Sequence, residues 1–373
     1  MEFVSGTGRV LAVVAALMGM TGCGRRHPAV IGVAFGEEHP NVLDVARDDL
    51  RRRYAEDVPE VRSGQAELVE EGAPGAVTLA SRLTKLPGIV GVVGHADSRG
   101  TLFAAPMYDE AHVPLLVPTA TSRRLRTISP WVFMMAPDDS TEAEFIAAFA
   151  VQSLHTRAVA VFYDNDEYGI GLRDGLRRAF GARRLHPLTE EPIANPCGQP
   201  GSAEASIVRA SIPGRLPDLT VIAGRTRDAA CLGRRLSERV PGIRLIGGDA
   251  VEQDSSFDNG FGSSAAPFYV VAFWHPDNAD SASAAFARDF RRIVGTSPRA
   301  SEALVFDAIM LLAQATKHAG ARPDALRRYL TALGHSRPAY QGVTGAVSFG
   351  SGALRPLYML RVGARGSQPV VIE

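Results

Sequence analysis

The chain has 373 residues, a length that suits about two domains better than one ordinary core. Apolar residues make up 46%, charged residues make up 21%, and the formal net charge is zero. This neutral balance argues against nucleic acid as a partner, because such a partner requires a basic surface or stripe.

The N-terminus is typical of an export signal and not of a folded domain. An uncharged apolar run at 10–20 is short for a membrane span and has the length of a signal-peptide core. It ends in MTGC at 20–23, which resembles the bacterial lipobox, with methionine where leucine is usual. We therefore expect a signal peptide at 1–22, lipidation of Cys23, a tether at 23–28, and membrane contact through this anchor only. The alternative is an ordinary signal peptide with an incidental cysteine.

From residue 29 onward, short β-type runs alternate with helical patterns that carry apolar residues on one face. The run at 88–93 is continuously apolar, as expected of a parallel strand that is buried on both faces. This β-α-β-α rhythm favours a doubly wound parallel sheet. The predicted strands of this first half are 29–34, 66–69, 88–93 and 113–117, and the predicted helices are 42–54, 75–86 and 101–111.

The same rhythm then restarts, which predicts a second lobe of similar size. The sequence predicts a capping box from Thr141 to Glu144 at the start of its first helix. A helix at 302–318 is apolar nearly all round, which predicts deep packing. Two alternating runs at 345–349 and 357–362 resemble the strands of a hairpin. The other predicted strands are 158–163, 219–223, 244–247 and 268–272, and the other predicted helices are 171–180, 227–240, 282–294 and 324–333.

No catalytic or metal-binding pattern occurs in the sequence. The chain lacks CxxC, HExxH and GxSxG motifs and any cluster of histidine and cysteine with metal-ligand spacing. The glycines from Gly169 to Gly175 superficially resemble a dinucleotide loop, but their spacing is one residue too long and the loop does not directly follow its strand. We therefore expect a protein that is not an enzyme, with no cofactor and no metal. An exported protein could form a disulfide between Cys197 and Cys231, although the sequence leaves their geometry open.

Five motifs occur in order and with family-like gaps, and they are specific together although none is specific alone. They are GVVGH at 91–95, APMYDEAHVP at 105–114, TATS at 119–122, VF and AP at 132–137, and YDNDEYGIGL at 163–172. With these motifs, the chain over residues 29–370 resembles type I periplasmic solute-binding proteins of the leucine/isoleucine/valine-binding family. These are the substrate-binding proteins of branched-chain amino acid ABC transporters.

The resemblance implies an α/β fold of two doubly wound parallel-sheet lobes, joined by three crossovers, with a ligand cleft between them. It implies a first lobe from 29–137 plus 273–341 and a second lobe from 138–272 plus 342–373. A small-molecule ligand would bind in the cleft, and the lobes would close over it by a hinge motion.

Two strand ends of the predicted first lobe carry small polar residues, and open α/β sheets bind ligands at such ends. Ser98 follows one strand, and Thr119, Ala120 and Thr121 follow another. Free N–H groups at a helix start favour an anion, so a ligand carboxylate could lie there. Taken alone, Ser98 and Thr121 are more typical of helix caps. In the family that the chain resembles, the residues matching Ser98, Ala120 and Thr121 hold the carboxylate and ammonium of an amino acid.

Three further candidates come from the resemblance. Tyr168 matches a tyrosine that faces the ligand, and its alternative role is packing. Asp249 matches an acidic residue that faces the ligand ammonium, which would supply the cation that a buried carboxylate needs. Its alternative role is the N-cap of the next segment. Trp274 lies near a predicted crossover, where it could wall the ligand side chain or pack in the core or hinge.

The loop after the first strand departs from the family pattern, because FGEEHP at 35–40 replaces a Pro/Thr/Gly loop that touches ligand. Glu37 and Glu38 would disfavour an anionic ligand side chain and suit a cationic one, unless they point to solvent. The resemblance implies a lipid-anchored extracytoplasmic protein on a bacterial membrane. It would capture an amino acid or similar small polar ligand for the permease of an ABC importer. The alternative is a ligand-sensing or regulatory lipoprotein of the same fold that acts on a membrane partner.

Overall fold

The computed structural model of the protein describes most of the chain after residue 27. The described residues are 28–35, 40–54, 59–63, 73–194, 197, 216–252, 255–262, 264, 266–277, 280–349, 355–363 and 368–370. The predicted signal peptide, Cys23, Glu37, Glu38 and the predicted strand at 66–69 lie outside them. Within these residues, no helix combines the length and the apolar character that crossing a membrane requires.

The first lobe is built on five strands, all of them parallel, in the order β2-β1-β3-β4-β5. As predicted for a doubly covered sheet, the central strand β3 is apolar and almost wholly buried. The strands are β1 (Val30–Ala34), β2 (Glu60–Ser63), β3 (Ile89–Gly94), β4 (Leu115–Val117) and β5 (Val132–Met134). The helices are α1 (Pro40–Tyr54), α2 (Ala73–Leu83) and α3 (Ser98–Glu110), followed by a 3₁₀ turn (Arg123–Arg126).

The chain then crosses to a second lobe through residues 135–138. This lobe repeats the alternation of strands and helices, with its strands covered by apolar helix faces. Its strands are β6 (Val159–Tyr163), β7 (Thr189–Pro192), β8 (Leu219–Ala223), β9 (Arg244–Gly247) and β10 (Phe268–Ala272). Its helices are α4 (Asp139–Gln152), α5 (Glu167–Ala182), α6 (Thr226–Arg239) and α7 (Ser255–Phe261).

After β10 the chain returns to the first lobe and then crosses back once more. The returning elements are α8 (Ser281–Val294), α9 (Ala300–Ala319), α10 (Pro323–Ala332), β11 (Tyr340–Gly342) and β12 (Gly345–Val347). The final strands, β13 (Tyr358–Arg361) and β14 (Gln368–Val370), extend the second sheet, which has the order β14-β13-β10-β9-β8-β6-β7. In that sheet, β13 pairs antiparallel with β10 and with β14, and the other pairings between described strands are parallel. Three crossovers therefore join the lobes.

Helix α9 is the central packing element of the molecule. Its residues from Ala303 to Ala313 are all buried, as the apolar sequence predicted. Most of them pack in the core of the first lobe, whereas Leu304 packs in the core of the second. A helix that packs against both lobes is buried on all sides, so apolar residues are expected around its whole circumference.

Two local predictions were wrong, one about strand pairing and one about a helix cap. The run 345–349 does not pair with 357–362, since β12 pairs with β11 and β13 pairs with β10. Helix α4 does not begin at a capping box of Thr141 and Glu144. Its cap is Asp138, which accepts a hydrogen bond from Thr141 N at 3.0 Å.

The packing of the β11-β12 hairpin bears on where the third crossover lies, which the sequence predicted at 341. Val343 and Val347 lie in the core of the first lobe, so the β11-β12 hairpin packs with that lobe. The lobe boundaries remain a proposal, and this packing favours a crossover between β12 and β13.

Cys197 and Cys231 form a disulfide, with their Cα atoms 5.2 Å apart. The bond joins a residue that precedes β8 to the buried face of α6. The pairing that the sequence left open is therefore present in the second lobe.

Candidate ligand-binding site

The polar residues after β3 and β4 lie side by side and are hydrogen-bonded to one another. Ser122 N donates to Ser98 Oγ at 3.2 Å, and Thr119 Oγ1 donates to Ala96 O at 2.9 Å. Ser98 and Thr121 are almost completely buried, and so is Ala120 between Thr119 and Thr121. Parallel strands end at the same edge of a sheet, which explains why residues more than twenty positions apart meet here.

Neither Ser98 nor Thr121 caps a helix. The cap of α3 is Asp97, whose side chain accepts from Gly100 N at 2.8 Å. The 3₁₀ turn has Ser122 at its cap position, without a side-chain cap hydrogen bond. The capping role that the sequence favoured for Ser98 and Thr121 is therefore wrong.

The residues beneath these strand ends add no positive charge. His95 is buried, and burial lowers its pKa to about 4 despite the opposing effect of Asp97, so the ring is neutral at pH 7. Its Nε2 lies 3.0 Å from Tyr108 Oη. Gly94 allows this close packing, because it has a φ of 152° and a Cβ there would lie 2.7 Å from Ala34 Cβ.

Three carboxyl side chains of the second lobe lie together beside the β4 end. We call Asp139, Glu142 and Asp249 the acid group. Asp139 and Glu142 stand in the first turn of α4 and are 3% and 0% exposed, and Asp249 follows β9. Asp249 N donates to Glu142 Oε1 at 2.8 Å. Asp139 N donates to Thr121 O at 2.9 Å, which joins the acid group to the first lobe.

Each member of the acid group has one buried oxygen without a hydrogen bond from the described residues. These oxygens are Asp139 Oδ1, Glu142 Oε2 and Asp249 Oδ1. A buried carboxylate oxygen without a donor is costly, so such atoms call for a cationic or hydrogen-bonding ligand. An ammonium group supplies three donors and one positive charge.

Burial raises the pKa of every member of the acid group. It raises the pKa of Asp139 to about 7, with a hydrogen bond from Thr121 opposing the shift and the charge of Asp249 adding to it. It raises the pKa of Asp249 to about 6. The pKa of Glu142 is raised well above its usual range by burial and then by Asp249. The group therefore holds protons near neutral pH.

Tyr168 lies against the acid group from α5. Its side chain is buried, and its Oη accepts from Ala250 N at 3.4 Å. Gly248 lets Tyr168 and Glu142 approach the backbone, because a Cβ at Gly248 would lie 3.0 Å from Glu142 Oε1 and would clash with Tyr168 Oη. Burial, and then Asp249 and Glu142, raise the pKa of Tyr168 well above its usual value, so its hydroxyl keeps its proton.

The lobes also touch through a hydrogen-bonded contact around Glu167, the first residue of α5. Its Oε1 accepts from Ser122 Oγ at 2.9 Å, and its Oε2 accepts from Arg124 Nη1 at 3.0 Å. Ser122 and Arg124 belong to the first lobe, so this contact spans the two lobes next to the candidate site.

The structure brings together six of the seven candidates from the sequence. Ser98, Thr119, Ala120 and Thr121 lie on the first lobe, and Tyr168 and Asp249 lie on the second. Trp274 is not among them, since it is buried in the core of the first lobe. Its Nε1 donates to Ser283 Oγ at 2.7 Å, and its ring packs edge-on against Phe286.

Sequence reasoning missed Asp139 and Glu142. The available signal was an acidic stretch at the first crossover, which helix-capping chemistry explained equally well. Among the described residues, no group of three histidine, cysteine or acidic side chains has the arrangement of a metal site. The arrangement suits a small molecule with an ammonium group facing the acids and a polar or anionic group facing Ser98 and Thr121.

Two α/β lobes with polar strand ends at their contact define a solute-binding protein of the two-lobe class. A family model described as Periplasmic binding protein matches residues 70–367, and the chain belongs to this family. The predicted family and fold are therefore confirmed, and the chain is a binding protein and not an enzyme. Among curated relatives, the "Amino acid binding protein" of Pseudomonas aeruginosa is 24% identical over 307 residues, covering 79% of this chain and 80% of the relative.

Solved structures share the fold at low identity. The substrate-binding protein LivJ of Streptococcus pneumoniae, in complex with isoleucine, has a TM-score of 0.79 at 20% identity and covers 92% of this chain and 99% of its own. A solute-binding protein of R. palustris in complex with benzoate has a TM-score of 0.77 at 15% identity and covers 92% and 96%. These neighbours hold different ligands, so the shared fold does not identify the ligand of this chain. The ligand has to be inferred from the residues of the site.

Proposed function

We propose that the protein is an extracytoplasmic solute-binding protein that captures an amino acid or similar small polar ligand and delivers it to an ABC importer. The acid group is the observation that carries this proposal, because its buried unpaired oxygens lie beside the β4 end. The similarity to an amino acid binding protein of Pseudomonas aeruginosa supports the same ligand class.

The two sides of the site suit the two ends of an amino acid. In this proposal, the ligand ammonium donates to the acid group, with the Tyr168 hydroxyl beside it. The ligand carboxylate lies toward Ser98 and Thr121, where the Ser98 hydroxyl and backbone N–H groups of the strand ends can donate to it. Ala120, with its short side chain, leaves room for the ligand to approach the backbone.

The charge of the site selects among amino acids. One ammonium balances one carboxylate, so the acid group keeps a net negative charge once all of its members are ionised. A ligand with a second carboxylate would meet like charges, whereas a neutral or basic side chain would not. We therefore propose a neutral or basic amino acid, which agrees with the expectation from Glu37 and Glu38.

The proposal includes a lipid anchor at Cys23, which would keep the protein near the permease that reads its closed form. The sequence MTGC at 20–23 supports it. We expect Cys23→Ser to move the protein from the membrane fraction to the soluble fraction of the bacterium that makes it. A Cys23→Ser protein that stays in the membrane fraction would contradict the anchor.

A thermal-shift screen of residues 24–373 against the twenty amino acids tests ligand capture. A ligand at ~100 times its dissociation constant should add about 2.7 kcal/mol of stability. Glu142→Gln should weaken binding by ~10-fold or more, because it removes a buried charge partner of the ammonium. Glu144→Gln on the same helix is the matched control, since Glu144 is exposed and pairs with Arg183. Absence of any shift with all twenty amino acids would contradict the proposal.

A further inference from the structure

A pocket of about 330 Å³ lies at the crossovers, and its lining includes no residue of the acid group and neither Ser98 nor Thr121. We call it the crossover pocket. Its walls come from the first crossover, from α4, from α10 and from the residues on either side of the third crossover. They include Arg126, residues 135–137, Thr141, Arg327, Ser348 and Arg355.

The lining of the crossover pocket carries cationic side chains. Three arginines line it, and none of its described lining residues is acidic. Arg126 pairs with Asp138 at 2.5 Å, and Arg355 Nη1 donates to Thr344 Oγ1 at 2.8 Å, next to Asp307. The guanidinium of Arg327 lies 5.0 Å from the centre of the Trp131 ring, which holds it at the wall.

Two guanidinium nitrogens at this pocket are buried without an acceptor among the described residues. They are Arg327 Nε and Arg355 Nη2, and the Arg355 residue as a whole is only 8% exposed. Guanidinium N–H groups remain protonated, so each needs an oxygen from elsewhere. Both nitrogens belong to side chains that line the same pocket.

A small oxyanion suits these groups in charge, hydrogen-bonding chemistry and size. Carboxylate and phosphate oxygens accept paired hydrogen bonds from guanidinium groups. The volume lies near the lower limit of small-molecule pockets, which are roughly 300–1,000 Å³. Thr331 and Ser348 also stand at the wall, and their hydroxyl oxygens are compatible with a polar occupant.

We propose that the crossover pocket is a binding site for a small multivalent oxyanion that carries phosphate or carboxylate groups. The ligand bridges Arg327 of the first lobe and Arg355, which leads into the second lobe. It therefore binds at the hinge and not in the cleft, and it is independent of the ligand that the acid group receives.

Calorimetric titration of the purified full chain with phosphate, sulfate and citrate, at matched ionic strength in chloride, tests this site. We expect one anion per chain, with a dissociation constant below ~1 mM. Binding of phosphate or citrate supports the proposal, and the tighter ligand identifies the preferred oxygen chemistry. Heats no larger than those of chloride with all three anions would overturn it.

Arg327→Gln should weaken anion binding by ~10-fold or more, because it removes one of the two guanidinium partners. Arg328→Gln is the matched control, since Arg328 follows on the same helix, is exposed and does not line the pocket. Equal weakening by both variants would show a diffuse charge effect and would overturn the site.

Arg355→Lys is a second variant that keeps the positive charge near Asp307 but loses the guanidinium fork. We expect it to weaken the anion as Arg327→Gln does, with a circular-dichroism melt confirming that it folds. A folded Arg355→Lys protein with unchanged anion affinity would remove Arg355 from the site.

Discussion

The most informative residues are the members of the acid group, because each can be ionised only at a cost. Three carboxyl groups in one cluster repel one another when charged, and the burial of Asp139 and Glu142 adds to this penalty. Their raised pKa values mean that protons occupy the cluster near neutral pH. A ligand ammonium would replace those protons, so ligand binding should release protons and strengthen as the pH rises.

We expect Asp139→Asn to stabilise the ligand-free protein at pH 8 but to have little effect at pH 4. Burial raises the pKa of Asp139 to about 7 in the folded protein, above about 3.9 in an unfolded chain. The stability that the protonated acid provides is complete below pH 4 and is lost as the pH rises to 7. Asparagine does not ionise, so its advantage should reach about 2–4 kcal/mol at pH 8.

Urea unfolding at pH 4, 6 and 8 measures this effect. The control is Glu110→Gln, which changes an exposed acid at the end of α3. If Asp139→Asn shifts stability equally at the three pH values, Asp139 does not titrate as a buried acid.

At the scale of elements, the start of α3 has separate residues for helix capping and for the candidate site, namely Asp97 and Ser98. Asp97 closes the helix by accepting from Gly100 N, which leaves the Ser98 hydroxyl to accept from Ser122 N. The helix start and the residues after β4 are therefore fixed together before any ligand arrives. Preorganised groups of this kind reduce the entropy lost on binding.

We expect Asp97→Ala to lower the free energy of unfolding by about 1 kcal/mol, because the cap hydrogen bond is lost. Asp97→Ser should recover most of this loss, since the serine hydroxyl can accept the same bond. Chemical denaturation of both variants measures the difference. Equal stability of the alanine and serine variants would show that the cap contributes nothing measurable.

At the scale of the whole molecule, the contact around Glu167 links lobe closure to the site. Its partners, Ser122 and Arg124, lie on the opposite lobe, one and three residues after Thr121. A contact that exists only when the lobes are together stabilises the closed form relative to the open one. Its strength is modest, because Arg124 is largely exposed.

We expect Glu167→Gln to weaken ligand affinity by about 2- to 5-fold, as expected for a partly exposed hydrogen-bonded ion pair. The radius of gyration from small-angle scattering should increase as the open form gains population. Glu190→Gln is the control, because Glu190 pairs with Arg177 inside the second lobe. Identical affinity and scattering for the two variants would exclude Glu167 from closure.

Much of the fold was predictable because its strands bury both faces. Continuous apolar runs such as 88–93 are typical of parallel strands that are covered on both faces. The apolar sequence of α9 is likewise typical of a helix that is buried on all sides. The errors came where a local pattern had two explanations. The run 345–349 alternates as any strand does, and its partner is chosen by the packing of Val343 and Val347 against the first lobe.

The sequence by itself determined the alternation of strands and helices, the family, and the small polar residues at the ends of β3 and β4. These features depend on periodicity and on residue size, which are local. Only the tertiary structure decided which acids share the site, that Trp274 packs in the core, and that three arginines meet at the crossovers. The clearest case is Glu142 and Asp249, which are 107 positions apart, and no local pattern determines which distant side chains meet.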